Sequence, residues 1–185
     1  MKMFVRRDRI QARLIIMLVI FILAGIDRLT KLLITANMEL HSTISLIKFG
    51  DTEVLNFTHV RNTGGAFSIL QGQWLFLTLM SGLIMVGLLA FLMSGRLKSK
   101  LMIVALTLAA GGAGNLIDRV LYGYVVDFID FRIINFAIFN FADICVVTGV
   151  FIAAFATIRE DIMNRKQKNI GDDDPVVPLE QTDDL

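Results

Sequence analysis

The sequence predicts a mainly α-helical membrane protein, with four transmembrane helices and a small extracytoplasmic β-sheet. Three observations predict it. The 185 residues are 55% hydrophobic with a mean hydropathy of +0.67, too apolar for a soluble domain of this length. Four segments approach the roughly 20 residues needed to cross a hydrocarbon core of about 30 Å. Twelve of the eighteen basic residues fall in three clusters that all map to one side of such a membrane.

The expected spans are about 14–34, 74–94, 101–119 and 139–158. The first has an uncharged run from Leu14 to Ile26 before Asp27, Arg28 and Lys31. The second is the cleanest, with no formal charge from Asn62 to Gly95. The third ends in Asp118 and Arg119, and the fourth carries Asp143 in its first turns. Lys2, Arg6, Arg7, Arg9 and Arg13 precede the first span, Arg96, Lys98 and Lys100 join the second to the third, and Arg159, Arg165, Lys166 and Lys168 follow the fourth. Basic loops stay in the cytoplasm, so both termini should be cytoplasmic. The charged span ends then gather at the outer face with loops 35–73 and 120–138. Charge from three helices converging at one depth is the pattern of a site.

Loop 35–73 is long for a connector. Residues 42–49 and 53–60 are rich in β-branched side chains and flank Gly50-Asp51, which reads as a hairpin in a sheet on the outer membrane surface. Asn56 heads a formal glycosylation sequon, meaningful only in a eukaryotic host. Residues 1–158 are expected to form one membrane-embedded domain, and 159–185 a cytoplasmic, disordered, acidic tail. The basic start followed by an apolar run imitates a signal peptide, and Leu23 to Ile26 imitate a lipoprotein cleavage box. Ile26 stands where the cysteine of that box would be, so the first span is expected to be retained.

Cys145 is the one cysteine, and His41 and His59 are the only histidines. Internal disulfides, cysteine metal clusters and H-E-x-x-H metalloprotease sites are thereby excluded, and no metal or cofactor is expected. A transporter would spread its charges through the midplane and show an internal repeat, and neither is visible. A serine–lysine protease would need a serine placed beside Lys31.

Asp27 and Lys31 share a helix face. They form either a local ion pair or a grip on a loop or substrate backbone. Asn62 precedes Gly64 and Gly65, which suit a tight turn. The turn alone accounts for the glycines, and a turn presenting the Asn62 amide to an extended peptide also accounts for the polar residue. Ala110 to Gly114 allow close helix packing. Asn115 shares a face with Asp118 and Arg119, and an Asp118–Arg119 structural ion network is expected in preference to direct catalysis by Asp118. Residues 124–131 are β-branched and aromatic and should be extended. Asp127 then faces one side and Asp130 the other, and alternation does not decide which of them belongs to a site. Asn140 and Asp143 lie on one face at the start of the fourth span, where an aspartate can simply cap the helix. Two carboxylates in one dry site titrate apart, so one can act as acid while the other acts as base. That pairing suits amide hydrolysis by activated water. Cys145 is expected to pack as a small apolar group.

The chain resembles the signal peptidase II family, the bacterial intramembrane aspartic proteases that process lipoproteins. The likeness runs through residues 14–158 on five stretches in order: Asp27 with Lys31, RNTGGAF at 61–67, GGAGNLIDR at 111–119, VVDFIDF at 125–131 and FNFAD at 139–143. The resemblance implies a catalytic dyad of Asp127 and Asp143, chosen over Asp130. It also implies supporting or substrate-binding roles for Asn62, Asn115, Asp118, Arg119 and Asn140, with Asp27 and Lys31 further out. The implied reaction is removal of signal peptides from prolipoproteins before a diacylglyceryl-modified cysteine, at the outer face of the cell membrane. The implied partners are the lipidated precursors and membrane lipid, without nucleic acid, and a monomer is expected.

Overall fold

The computed structural model describes residues 2–65, 69–94, 99–134 and 136–172. Four long helices and a three-stranded sheet follow in the order α1 (Lys2–Asn37), β1 (Thr43–Phe49), β2 (Thr52–Asn62), α2 (Trp74–Met93), α3 (Ser99–Tyr122), β3 (Val125–Phe131) and α4 (Phe141–Asp172). A short 3-10 turn at Arg132–Ile134 leads out of β3.

Helix α3 is central and packs against α1, α2 and α4. Its small residues make this possible. A Cβ at Gly111 would collide with the Ala142 carbonyl and Val146 of α4, and one at Gly114 with the Asp27 carboxylate of α1 and Ala142 of α4. The expected close packing at Ala110–Gly114 is therefore realised, as in other membrane helix pairs. An apolar cluster of Ile16, Ile20, Met85, Leu92 and Ala109 joins α1, α2 and α3. Elsewhere large apolar side chains face outward, among them Leu79, Leu83, Phe151 and Phe155, each about two-thirds exposed or more. Such continuous apolar exposure suits lipid rather than water. Trp74–Met93 and Phe141–Arg159 are long and apolar enough to cross a membrane. Helices α1 and α3 are also long, but carry more charge.

The sheet has antiparallel order β1-β2-β3. The expected hairpin is present, and its turn uses Gly50 at φ +59°, a left-handed conformation that glycine adopts without strain. The segment around Asp127 is extended as predicted, and it completes the sheet as β3 against β2. Ile34 and Met38 at the end of α1 pack under Val126 and Phe128, which fixes the sheet over the end of the bundle. Asn56 is fully buried and donates to Glu53 at 2.8 Å, so its sequon offers no glycan acceptor. Cys145 is buried and free, as expected of a small apolar group. Helix α4 runs on to Asp172, well beyond the last apolar turn at 158, because a polar helix can continue without a membrane around it. Residues 173–185 of the expected tail lie outside the described residues, as do 66 and 67 of the RNTGGAF stretch and 95–98 of the basic link.

Candidate active site

Asp127 sits in the middle of β3 and Asp143 in the first turn of α4. Asn140 joins them. It caps α4 reciprocally: its Oδ1 accepts from the Asp143 N–H at 3.1 Å, and its own N–H donates to Asp143 Oδ2 at 3.1 Å. This is the capping-box arrangement with an asparagine and an aspartate. The Asn140 Nδ2 then donates to Asp127 Oδ1 at 2.6 Å. The second Asp127 oxygen accepts from Asn62 Nδ2 at 2.9 Å, and the second Asp143 oxygen from Asn115 Nδ2 at 2.8 Å. The cap role expected of Asp143 is thus filled, and it leaves the carboxylate at the rim of a cavity.

That cavity has a volume of about 450 Å³. Its polar wall is Asn62, Asn115, Arg119, Asp127 and Asp143, and its apolar wall comes from 136–139 and from Ile144, Val146 and Val147 of α4. A mostly apolar pocket with a few convergent polar groups is the form of a ligand site. Asp127 is only 3% exposed. Burial, and after it the negative charge of Asp143, push its carboxyl up to about 7, against the opposing hydrogen bonds from Asn62 and Asn140. A carboxyl held near neutrality beside a second carboxyl is suited to proton transfer.

Behind the dyad lies a buried ion cluster centred on Lys31. Its ammonium contacts Asp27 Oδ2 at 2.8 Å, Asp118 Oδ2 at 3.0 Å and Asn115 Oδ1 at 2.9 Å. Lys31, Asp27 and Asp118 are all buried, and desolvated charges of this kind persist only when paired. Asp27 Oδ1 accepts the backbone N–H of Ala142 at 2.9 Å, and Asp118 Oδ2 that of Val126 at 3.2 Å. The local Asp27–Lys31 pair expected from spacing is present, and it grips the backbone of α4.

One expectation is corrected, and one open choice is narrowed. The ion network between Asp118 and Arg119 is absent: neighbouring residues on a helix point about 100° apart. Asp118 pairs instead with Lys31 and Arg28, whereas Arg119 lines the cavity and donates to the Gly64 carbonyl at 3.2 Å. Asn62 does not hold its amide free for a peptide. It donates to Asp127 and to the Gly65 carbonyl, and accepts from the Gly64 N–H, so the turn and the support of Asp127 use the whole side chain. Asp130 lies on the opposite face, as alternation predicts, bonded to Thr58 and Arg132 at 2.7 Å each.

Arg28 was not singled out by the sequence. It pairs with Asp118 at 3.0 Å, donates to the Tyr122 hydroxyl and lies over the Tyr122 ring. Asp118 and Tyr122 share an α3 face by their spacing, but only the crossing of α1 and α3 reveals that Arg28 meets them.

An apolar helical bundle with a small sheet over one end and a carboxylate-lined cavity is the form of a membrane enzyme. Two solved structures share the fold, each described as a bacterial membrane enzyme determined by the in meso method. One is 32% identical with a TM-score of 0.71, covering 79% of this chain and 88% of that one. The other is 33% identical with a TM-score of 0.67, covering 77% and 91%. A family model for signal peptidase (SPase) II matches residues 19–159. The lipoprotein signal peptidase of Streptococcus pneumoniae is 38% identical over 151 residues, 81% of this chain and 96% of that protein. That of Halalkalibacterium halodurans is 39% identical over 159 residues, 84% and 97% respectively. The chain belongs to the signal peptidase II family, proteases of bacterial lipoprotein processing.

Proposed function

We propose that the chain is an intramembrane aspartic endopeptidase that removes signal peptides from prolipoproteins. It cleaves before the diacylglyceryl-modified cysteine, with Asp127 and Asp143 as the catalytic pair. The observation that carries this reading is that Asn140 hydrogen-bonds both carboxylates while both line one cavity with a long apolar wall.

One carboxylate takes a proton from a water held between the two. The resulting hydroxide attacks the scissile carbonyl carbon, and the other carboxyl gives its proton to the leaving amine as the C–N bond breaks. The pair then holds one proton as before, now on the first carboxylate, the water's other proton stays with the product acid, and a proton shift between the two carboxyls restores the starting state. A carboxyl held near 7 suits both halves of that exchange at neutral pH. Arg119, at the cavity wall, brings a positive charge to a site that holds two acidic groups. Asn62, Asn115 and Asn140 orient the carboxylates, each through an amide hydrogen bond.

Four crossings with both termini in the cytoplasm put the dyad at the outer leaflet, beside the acyl chains of a lipidated precursor. The wall of Ile144, Val146 and Val147 offers those chains or the signal peptide an apolar seat, and a monomer suffices for the reaction. The test uses purified enzyme and two precursors, identical except for the diacylglyceryl group. The lipidated form should be cut before its cysteine, and the unlipidated form far more slowly. Equal rates would refute recognition of the lipid.

A further inference from the structure

The Lys31 cluster has a geometry that charge burial alone does not require. Its two carboxylates each hold the backbone N–H of the residue immediately before one member of the dyad. Asp27 holds Ala142, which precedes Asp143, and Asp118 holds Val126, which precedes Asp127. The third acceptor of the ammonium is Asn115 Oδ1 at 2.9 Å. The same oxygen accepts from Asn140 Nδ2 at 3.0 Å. With its oxygen held in this way, the Asn115 amide must turn its Nδ2 to Asp143, which it meets at 2.8 Å. Lys31 thus reaches Asp143 through Asn115, and Asp127 through Asn115 and Asn140. Its exposure of 1% leaves no role in contact with substrate.

We infer that Lys31 is a positioning residue for the dyad, setting the separation and orientation of Asp127 and Asp143 through its three acceptors Asp27, Asp118 and Asn115. The inference rests on the proposed two-aspartate reaction and adds the device that holds its geometry. Three helices and the sheet meet at this one ammonium: α1 supplies Lys31 and Asp27, α3 supplies Asp118 and Asn115, and the gripped backbones belong to α4 and β3. A displacement of one of these elements by about 1 Å would cost on the order of 100-fold in rate without removing a catalytic group.

The charged and titratable groups around the dyad are Lys31, Asp27 and Arg28 of α1, Asp118 and Arg119 of α3, and Cys145 of α4. The Asn115 arm is the one that can be cut without unbalancing these charges. In Asn115→Ser, Lys31 keeps both carboxylates, and Asp143 loses the amide that orients it. The expected result is kcat reduced about 10- to 100-fold, KM within about twofold, and a pH–rate profile changed from that of the wild type. A purely structural role would instead lower the melting temperature and leave the profile of the folded fraction unchanged. The hub itself is tested with Lys31→Met combined with Asp27→Asn, which removes one charge of each sign and keeps an acceptor for the Ala142 N–H. This variant should melt as one cooperative unit and show the same loss in kcat. If it fails to fold, Asn115→Ser decides alone.

Wild-type kcat and pH profile in folded Asn115→Ser would overturn the inference. So would a raised KM at unchanged kcat, which would make Asn115 a substrate contact. Asp127→Asn and Asp143→Asn, assayed alongside, separate the two readings. Activity in those variants sinks the two-aspartate reaction itself, whereas their inactivity together with a fully active Asn115→Ser sinks only the positioning role.

Discussion

Asp127 and Asp130 stand on the same strand and face opposite sides of the sheet. Asp127 meets Asn62 and Asn140 at the cavity. Asp130 meets Thr58 and Arg132 away from it. Both are buried, with exposures of 3% and 5%, so burial does not distinguish them; their partners do.

This difference gives the first prediction. Asp127→Asn and Asp143→Asn should each abolish turnover of a lipidated precursor, and the double variant should be little worse than either, because the two groups act as one unit. Asp130→Asn keeps an acceptor for the Thr58 hydroxyl and should retain substantial activity. Rates are compared on variants whose melting shows them folded. Complete loss in a well-folded Asp130→Asn would move the dyad to the wrong face of β3.

Much of this was legible in the sequence. Helix positions, the hairpin around Gly50 and the opposite facing of Asp127 and Asp130 follow from apolar periodicity, turn chemistry and strand alternation, all of which are local. The grouping of Asn62, Asn115, Asn140 and the two aspartates came from an ordered set of motifs rather than from spacing. What the sequence could not provide was the partner of each charge. Asp118 sits beside Arg119 in the chain, yet its ion partners are Lys31 and Arg28 of α1. Long-range pairing depends on how α1 and α3 cross, and that crossing is set by the bare face of Gly114, which leaves room for the Asp27 carboxylate.

Gly114 supplies the second prediction. Gly114→Ala would drive a methyl group into Asp27 and Ala142, and so displace the acceptor of the Ala142 N–H. Overpacking of this kind costs about 1–3 kcal/mol, and activity should fall with it. Gly87→Ala is the control, since nothing lies within 4 Å of its added Cβ and a helix gains by the change. Thermal melting in detergent and precursor turnover check both. A Gly114→Ala enzyme as stable and active as the wild type would show that α1 and α3 can separate without loss.

The third prediction concerns pH and stability. Burial raises the Asp127 carboxyl from its ordinary 3.8 to about 7, so the folded state binds this proton more tightly than the unfolded chain. The resulting contribution is complete below the unfolded value and is lost as pH rises through about 7. Melting temperature should therefore decline between about pH 4 and pH 8, and Asp127→Asn should lack that part of the decline. The slopes carry the comparison, because an amide at this position must turn its NH₂ toward Asn62 or Asn140, both donors, and that shifts the absolute melting temperature. Identical slopes would place the titration elsewhere.

The last prediction is the direction of insertion. The basic residues at the start of α1, around the link from α2 to α3 and in the last turns of α4 should keep those ends in the cytoplasm. The hairpin and the dyad then lie outside, where a lipidated cysteine would be presented. Single cysteines introduced into a Cys145→Ser background report on this directly. Thr52, exposed at the hairpin turn, should react with a membrane-impermeant maleimide added to intact cells. Lys98 lies outside the described residues and is chosen on sequence alone. A cysteine there should react only after the membrane is opened. Serine is close to cysteine in size, so Cys145→Ser should keep the packing of this buried position, and turnover of each labelling variant checks that the labelled molecules are native. Labelling of position 98 from outside with protection of position 52 would put Asp127 and Asp143 at the cytoplasmic leaflet, and the proposed cleavage at the outer face would fall with it.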